Sequence, residues 1–92
     1  MDFTALDLRI GTITRATPDA DGVSLTVALG HADVQVASQI TETYAADALV
    51  GRQVVVVTNG PGGAVVLAGL SPTDGAVLLQ PDRPVADGTR VV

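Results

Sequence analysis

Thr41-Glu42-Thr43-Tyr44-Ala45-Ala46-Asp47-Ala48-Leu49, closed by Gly51, is the one segment of this chain that reads as helix. Its Ala-rich spacing and the glycine stop predict two turns at most, between Thr41 and Leu49. On both sides of it the text is strand. Gln53-Val54-Val55-Val56-Val57-Thr58 follows directly, too short for a buried helix and strongly β-branched, so Gln53 to Thr58 is expected to be a central strand covered on both faces. Before the helix, Leu25, Val27 and Leu29 alternate with Ser24, Thr26 and Ala28, which predicts a strand from Val23 to Leu29. Gly30-His31-Ala32 closes it, and Val34 and Val36 against Asp33 and Gln35 give another, Val34 to Ala37.

The chain's first strand is expected over Leu6 to Thr17. Leu6, Leu8 and Ile10 alternate with Asp7 and Arg9, then Ile13 falls on the opposite parity, so Gly11 is expected to mark a bulge or sharp bend. The turn Thr17-Pro18-Asp19-Ala20-Asp21-Gly22 ends it. Beyond the valine run, Asn59-Gly60-Pro61-Gly62-Gly63 reads as a turn. A strand at Ala64 to Ala68, extensible to Leu70, and a strand at Ala76 to Leu79 flank Ser71-Pro72-Thr73-Asp74-Gly75, and an edge piece, Thr89 to Val92, closes the chain. Three meandering strands, one short helix and further strands outline an all-β fold: an OB-fold, a small five-stranded Greek-key β-barrel with its helix between the third and fourth strands. An SH3-like barrel competes, and the position of the helix favours the OB type.

Composition agrees. Val, Ile and Thr fill 28 of 92 positions and aromatics only 2%, which favours strands packed through small branched side chains over a helical bundle. Ninety-two residues predict one domain spanning 1–92, and a domain of this size buries only about 60–65% of its unfolded surface, so association with a second copy is a plausible source of further burial. The lack of Cys excludes disulfides, iron–sulfur clusters, thiolate zinc sites and cysteine nucleophiles. No span suits a bilayer, and an N-terminus without a basic start or apolar run predicts a cytoplasmic protein. Five Arg and no Lys against nine Asp and one Glu give a net charge of −5, which disfavours nucleic acid and anionic lipid as dominant partners.

Catalytic chemistry is poorly provided for. With one His, no Cys and no Lys, acid–base and nucleophilic schemes would all pass through His31, which reads as a solvated turn residue with no orienting partner nearby, and no cofactor or metal is expected. Asp19-Ala20-Asp21-Gly22 lacks the later ligands of a calcium loop, and Gly60-Pro61-Gly62-Gly63 has no Gly-Lys-Ser/Thr behind it; both read as turns. Arg9, Arg15, Arg52 and Arg83 are candidate phosphate contacts, set against the commoner role of solvated ion pairs. Phe3 and Tyr44 are the only aromatics available to stack on bases.

Three stretches together resemble the CsaA branch of the tRNA-binding-domain family: Leu6-Asp7-Leu8-Arg9-Ile10-Gly11-Thr12-Ile13; Ser38-Gln39-Ile40-Thr41 with Tyr44 and Leu49-Val50-Gly51-Arg52-Gln53-Val54-Val55; and Val77-Leu78-Leu79-Gln80-Pro81-Asp82-Arg83-Pro84-Val85 with Gly88-Thr89. The resemblance covers nearly the whole chain. It implies an OB-fold, a homodimer, no catalysis, tRNA binding as in many members, and a chaperone-like role with unfolded or exported polypeptides. In relatives the asparagine after the fourth strand leads into Phe-Pro-Pro and a basic segment; here Asn59 is kept but Gly60-Pro61-Gly62-Gly63 replaces the rest. The family's Ser-Ser-Ala-Gln-Ile is Ala37-Ser38-Gln39-Ile40 here, after Val36. Gln39 and Asn59, with Ser38 beside the first, are the ligand-binding positions the resemblance carries over, and main-chain hydrogen bonding within the barrel is the other role open to both amides. The expectation is a homodimeric polypeptide binder whose tRNA affinity is weakened by acidity and the short loop. The alternative is a tRNA or RNA binder whose arginines converge across the dimer.

Overall fold

The structure is a computed structural model and describes residues 6–20, 22–38 and 44–92. Its seven strands are β1 (Leu8–Asp19), β2 (Gly22–Ala28), β3 (Asp33–Ser38), β4 (Gln53–Val57), β5 (Val65–Val66), β6 (Ala68–Ser71) and β7 (Gly75–Leu78), with one helix, α1 (Ala46–Leu49), between β3 and β4. Five strands form one antiparallel sheet in the order β3-β2-β1-β4-β5, and β6 pairs with β7. The sheet curls until its two edges, β3 and β5, come back into contact, so the OB-type barrel expected from the sequence is the observed architecture.

Alternation sorts the side chains. Val23, Leu25 and Val27 of β2, Val36 of β3, and Val54 and Val56 of β4 point inward and are at most 2% exposed, together with Ile13 and Leu49. Each such side chain contributes about 1.5–3 kcal/mol of burial. Leu49, from α1, plugs the barrel and is completely buried. The outward valines of β4 are also covered, Val57 to 8% exposure and Val55 partly, as the unbroken valine run predicts, although the strand at the centre of the sheet is β1.

Three expectations need correction. The irregularity in β1 lies between Ile13 and Arg15, not at Gly11. Gly11 shares the inner face with Ile13, and a Cβ there would lie 2.6 Å from both the Ala28 carbonyl oxygen and Val27 Cγ1, so it is required for the close approach of β2. The change of parity arises because both faces of β1 are covered: Ile10 points outward yet is 9% exposed, with Thr89 and Gly88 bonded to its main chain. Second, the strand expected over Ala64 to Leu70 is broken at Leu67. Its N–H still donates to Val55 and its carbonyl accepts from Leu79, and at this residue the chain passes from the edge of β4 to that of β7.

The helix lies where it is expected, between Thr41 and Leu49, and its described part is a single turn. Ala45 precedes it in extended conformation with no side-chain cap, Val50 is again extended, and Gly51 has φ +93°; residues 41–43 of the predicted helix lie outside the described residues. Last, Thr89 to Val92 forms no strand but a bridge, Arg9 opposite Arg90, flanked by Ile10 N–H to Thr89 and Val91 N–H to Leu8. The first half of β1 therefore has β4 on one side and the C-terminal segment on the other, while its second half pairs with β2.

Candidate functional site

The outer face of β1, β2 and β3 is polar and built from small side chains. Its register sets Arg15, Thr26 and Gln35 in one row and Thr17, Ser24 and Ala37 in the next. Thr26 donates to Gln35 Oε1 at 3.2 Å, and Ser24 to Asp19 at 3.1 Å. Where the sheet edges meet, a groove of about 460 Å³ runs between Ser24, Gln35 and Ala37 on one bank and Gly62, Ala64 and Val65 on the other. Ala37 leads into Ser38, and Gly62 belongs to the turn opened by Asn59, but neither Ser38 nor Asn59 is among the residues that line the groove. Ser38 itself ends β3, half-buried and paired with Val23. Gln39 lies outside the described residues. Asn59 is exposed, and its Oδ1 accepts the Asp7 N–H at 2.8 Å, a main-chain role at the barrel end rather than inside it.

The arginines do not form one stripe. Arg9 pairs with Asp7 at 3.0 Å and donates to the Gly88 carbonyl at 3.2 Å. The Asp7 carboxyl is held below its ordinary pKa chiefly by the Thr58 hydroxyl, then by Arg9 and Arg90, with desolvation opposing them. Arg15 projects from the polar outer face with no ion pair among the described residues. Arg52 and Arg83 are brought together: both line a cleft of about 550 Å³ between the start of β4 and the segment 80–84. Arg52 Nε donates to the Ala48 carbonyl at 3.0 Å and its guanidinium lies 5.2 Å from the centre of the Tyr44 ring. Arg83 grips both oxygens of exposed Asp82, at 3.0 and 3.3 Å.

Behind this cleft sits a polar knot that sequence reasoning missed. Gln53 Nε2 donates to the Val85 carbonyl at 2.7 Å, its Oε1 accepts the Val85 N–H at 3.0 Å, and Thr12 donates to Asp87 at 2.6 Å. No local signal marks these residues, because their partners lie more than thirty positions away.

A crystal structure of the chaperone CsaA from Bacillus anthracis superposes with a TM-score of 0.90 at 36% identity, covering 99% of this chain and 94% of that one. The chain belongs to the CsaA-like branch of the tRNA-binding-domain family. The CsaA chaperone protein of Picrophilus torridus is similar over 99% of this chain and 95% of its own, with a TM-score of 0.88 at 25% identity. Among curated proteins, the methionine–tRNA ligase of Methanococcoides burtonii is 36% identical over 96% of this chain. The chain spans about 15% of the length of that ligase. No family model matches. The glycine-rich turn after β4 supplies Gly62 to the groove. Among the described residues no helix is long and apolar enough to cross a membrane, and no group of His, Asp and Glu is placed to hold a metal.

Proposed function

We propose that this protein is a non-enzymatic, homodimeric, cytoplasmic binder of unfolded or exported polypeptides whose tRNA affinity is weak. The observation that carries the reading is the groove at the β3–β5 seam. Among the described residues it is lined by hydroxyl, amide and small apolar side chains and by no arginine, which suits an extended backbone better than a phosphate chain. The resemblance to CsaA chaperones supports the same partner class. Three of the five arginines are already engaged: Arg9 by Asp7, Arg83 by Asp82, and Arg52 by the Ala48 carbonyl and the Tyr44 ring. Few remain for phosphates.

An apolar strip that borders the groove supports the dimer. Val77 and Leu79 point outward and remain 38% and 46% exposed, beside half-buried Leu67 and Val55, and the strip meets the groove at Val65, which lines it. An apolar strip of this kind suits a two-fold contact with a second copy, and a stable pair would bury about 1,200–2,000 Å² in all.

Titration of an unfolded peptide and of tRNA at low and high salt tests the proposal. Peptide binding is expected to be nearly indifferent to salt. Binding of tRNA is expected to be weak and to fall with a log–log slope of about −0.7 to −0.9 per neutralised phosphate, few of which each chain can engage. Tight tRNA binding that persists at high salt would favour arginines converging across the dimer instead, and failure of every unfolded peptide to bind would remove the chaperone-like role.

A further inference from the structure

Asn59 is the only asparagine of the chain, and Gly60 follows it directly. That pair of residues carries a chemistry of its own. The main-chain nitrogen that follows an asparagine can close a five-membered ring on the side-chain Cγ, and a glycine in that place puts no side chain in the way and lets the backbone bend into the attack. A fold suppresses the reaction where it ties that nitrogen into a hydrogen bond.

At Asn59 the fold leaves the nitrogen open. Asn59 is exposed and lies in the turn after β4, outside the strand pairings. The Gly60 N–H donates to no group among the described residues, whereas its carbonyl accepts the Gly63 N–H at 3.0 Å. The turn also requires glycine here, because a Cβ on residue 60 would lie 2.7 Å from the Gly63 carbonyl oxygen. The carboxamide is held at the same time. Its Oδ1 accepts the Asp7 N–H at 2.8 Å, and a donor at that oxygen stabilises the negative charge it gains when Cγ is attacked. Asp87-Gly88 shows the opposite arrangement: the Gly88 N–H donates to the Ile10 carbonyl at 2.7 Å, and Thr12 and Gln53 both donate to the Asp87 carboxylate.

We propose that Asn59-Gly60 is a self-modification site, at which the folded chain converts its asparagine to aspartate and isoaspartate with water as the only co-reactant. The Gly60 nitrogen gives its proton to solvent and bonds to Asn59 Cγ. The Cγ–Nδ2 bond then breaks, and Nδ2 takes a proton from water and leaves as ammonia. One water adds to either carbonyl of the resulting succinimide and breaks that carbon's bond to the ring nitrogen. Opening at Cγ gives aspartate; opening at the Asn59 carbonyl carbon gives isoaspartate, whose main chain runs through Cγ and is one carbon longer. Either product places a carboxylate next to Asp7, whose own carboxylate is already engaged by Thr58 and Arg9. Asp7 joins the entry of β1 to the exit of β4, through its N–H to Asn59 and its carbonyl to the Thr58 N–H, so the new like charge loosens that junction. The reaction does not depend on what the seam groove binds.

The test is incubation of the full chain at neutral and mildly alkaline pH, followed by digestion and mass spectrometry, beside a peptide of residues 57–63 as the unfolded reference. Exchange of amide for acid is expected at Asn59, faster at the alkaline pH, at a rate within about tenfold of the peptide's, and with isoaspartate among the products as read by enzymatic methylation of the isoaspartyl carboxyl. A slower rate than that means that the fold protects Asn59, and overturns the proposal. So does an equal gain of acid in Asn59→Ser, which has no carboxamide at this position. Asn59→Asp, made directly, should melt below the parent and exchange its Asp7 amide hydrogen faster; a variant that matches the parent in both overturns the coupling to Asp7. Because these readouts involve no ligand, their outcome is separate from that of the polypeptide-binding proposal.

Discussion

The side-chain amide of Gln53 meets the main chain of Val85 from both sides, donating to its carbonyl at 2.7 Å and accepting its N–H at 3.0 Å. One glutamine thereby imitates a rung of sheet and ties the C-terminal segment to the start of β4. Gln53→Ala leaves both Val85 groups without their partner and should cost about 1–3 kcal/mol. Gln53→Glu keeps the acceptor but turns a carboxylate toward the Val85 carbonyl and Asp87, which lies 3.3 Å from the present Nε2, and should cost more. Thermal melts of the two variants against the parent check the order.

Gly11 and Gly62 form a matched pair of opposite sign. A Cβ on Gly11 would lie 2.6 Å from a β2 carbonyl, 2.6 Å from Val27 Cγ1 and 2.8 Å from Leu29 Cδ2, while one on Gly62 meets nothing within 4 Å. Gly11→Ala should destabilise by about 1–3 kcal/mol through overpacking. Gly62→Ala should be neutral or stabilising by up to about 1 kcal/mol, because it restricts only the unfolded chain. Urea unfolding of both proteins is the measurement, and a neutral Gly11→Ala would contradict the close approach of β2 to β1 at Gly11.

The Thr58 hydroxyl, Arg9 and Arg90 all favour the ionised form of Asp7, so its pKa is lower folded than unfolded. The resulting stability is complete above the unfolded carboxylate value and is lost as pH falls through the folded one. Asp7→Asn should therefore be less stable than the parent at neutral pH, with the gap closing in acid. Denaturant midpoints at neutral and acid pH decide it; a gap constant with pH would mean that the carboxylate charge contributes nothing.

Leu79→Asp and Val77→Asp place a charge in the exposed apolar strip without touching the buried core. Both should shift the species seen by light scattering from a pair to a single 9.3 kDa chain while the β-type circular dichroism is retained. A variant that keeps the dimer mass would move the interface elsewhere on the barrel.

Much of this protein is legible in its residues one at a time. Alternation in Val23 to Leu29 and in Val34 to Ala37 specifies which side chains enter the barrel, because side chains on a pleated strand alternate strictly and one face must be dry. The valine run of β4 signals a strand covered on both sides, and Gly51 signals the stop after the helix. The break at Leu67 is different. The strand-poor residues of Ala64 to Leu70, Ala68 and Gly69, lie inside β6 and not at the break, and only the pairing with β4 before Leu67 and with β7 after it determines where one ends and the next begins. The same holds for function. Composition alone sets the acidity that opposes phosphate binding, and the family blocks point to Ser38, Gln39 and Asn59. Only the curled sheet brings Ala37 opposite Gly62, Arg52 beside Arg83 and Gln53 onto Val85, since each pairing depends on chain reversals between distant segments, and hydrogen bonds and charges of that kind leave no local periodicity in the sequence.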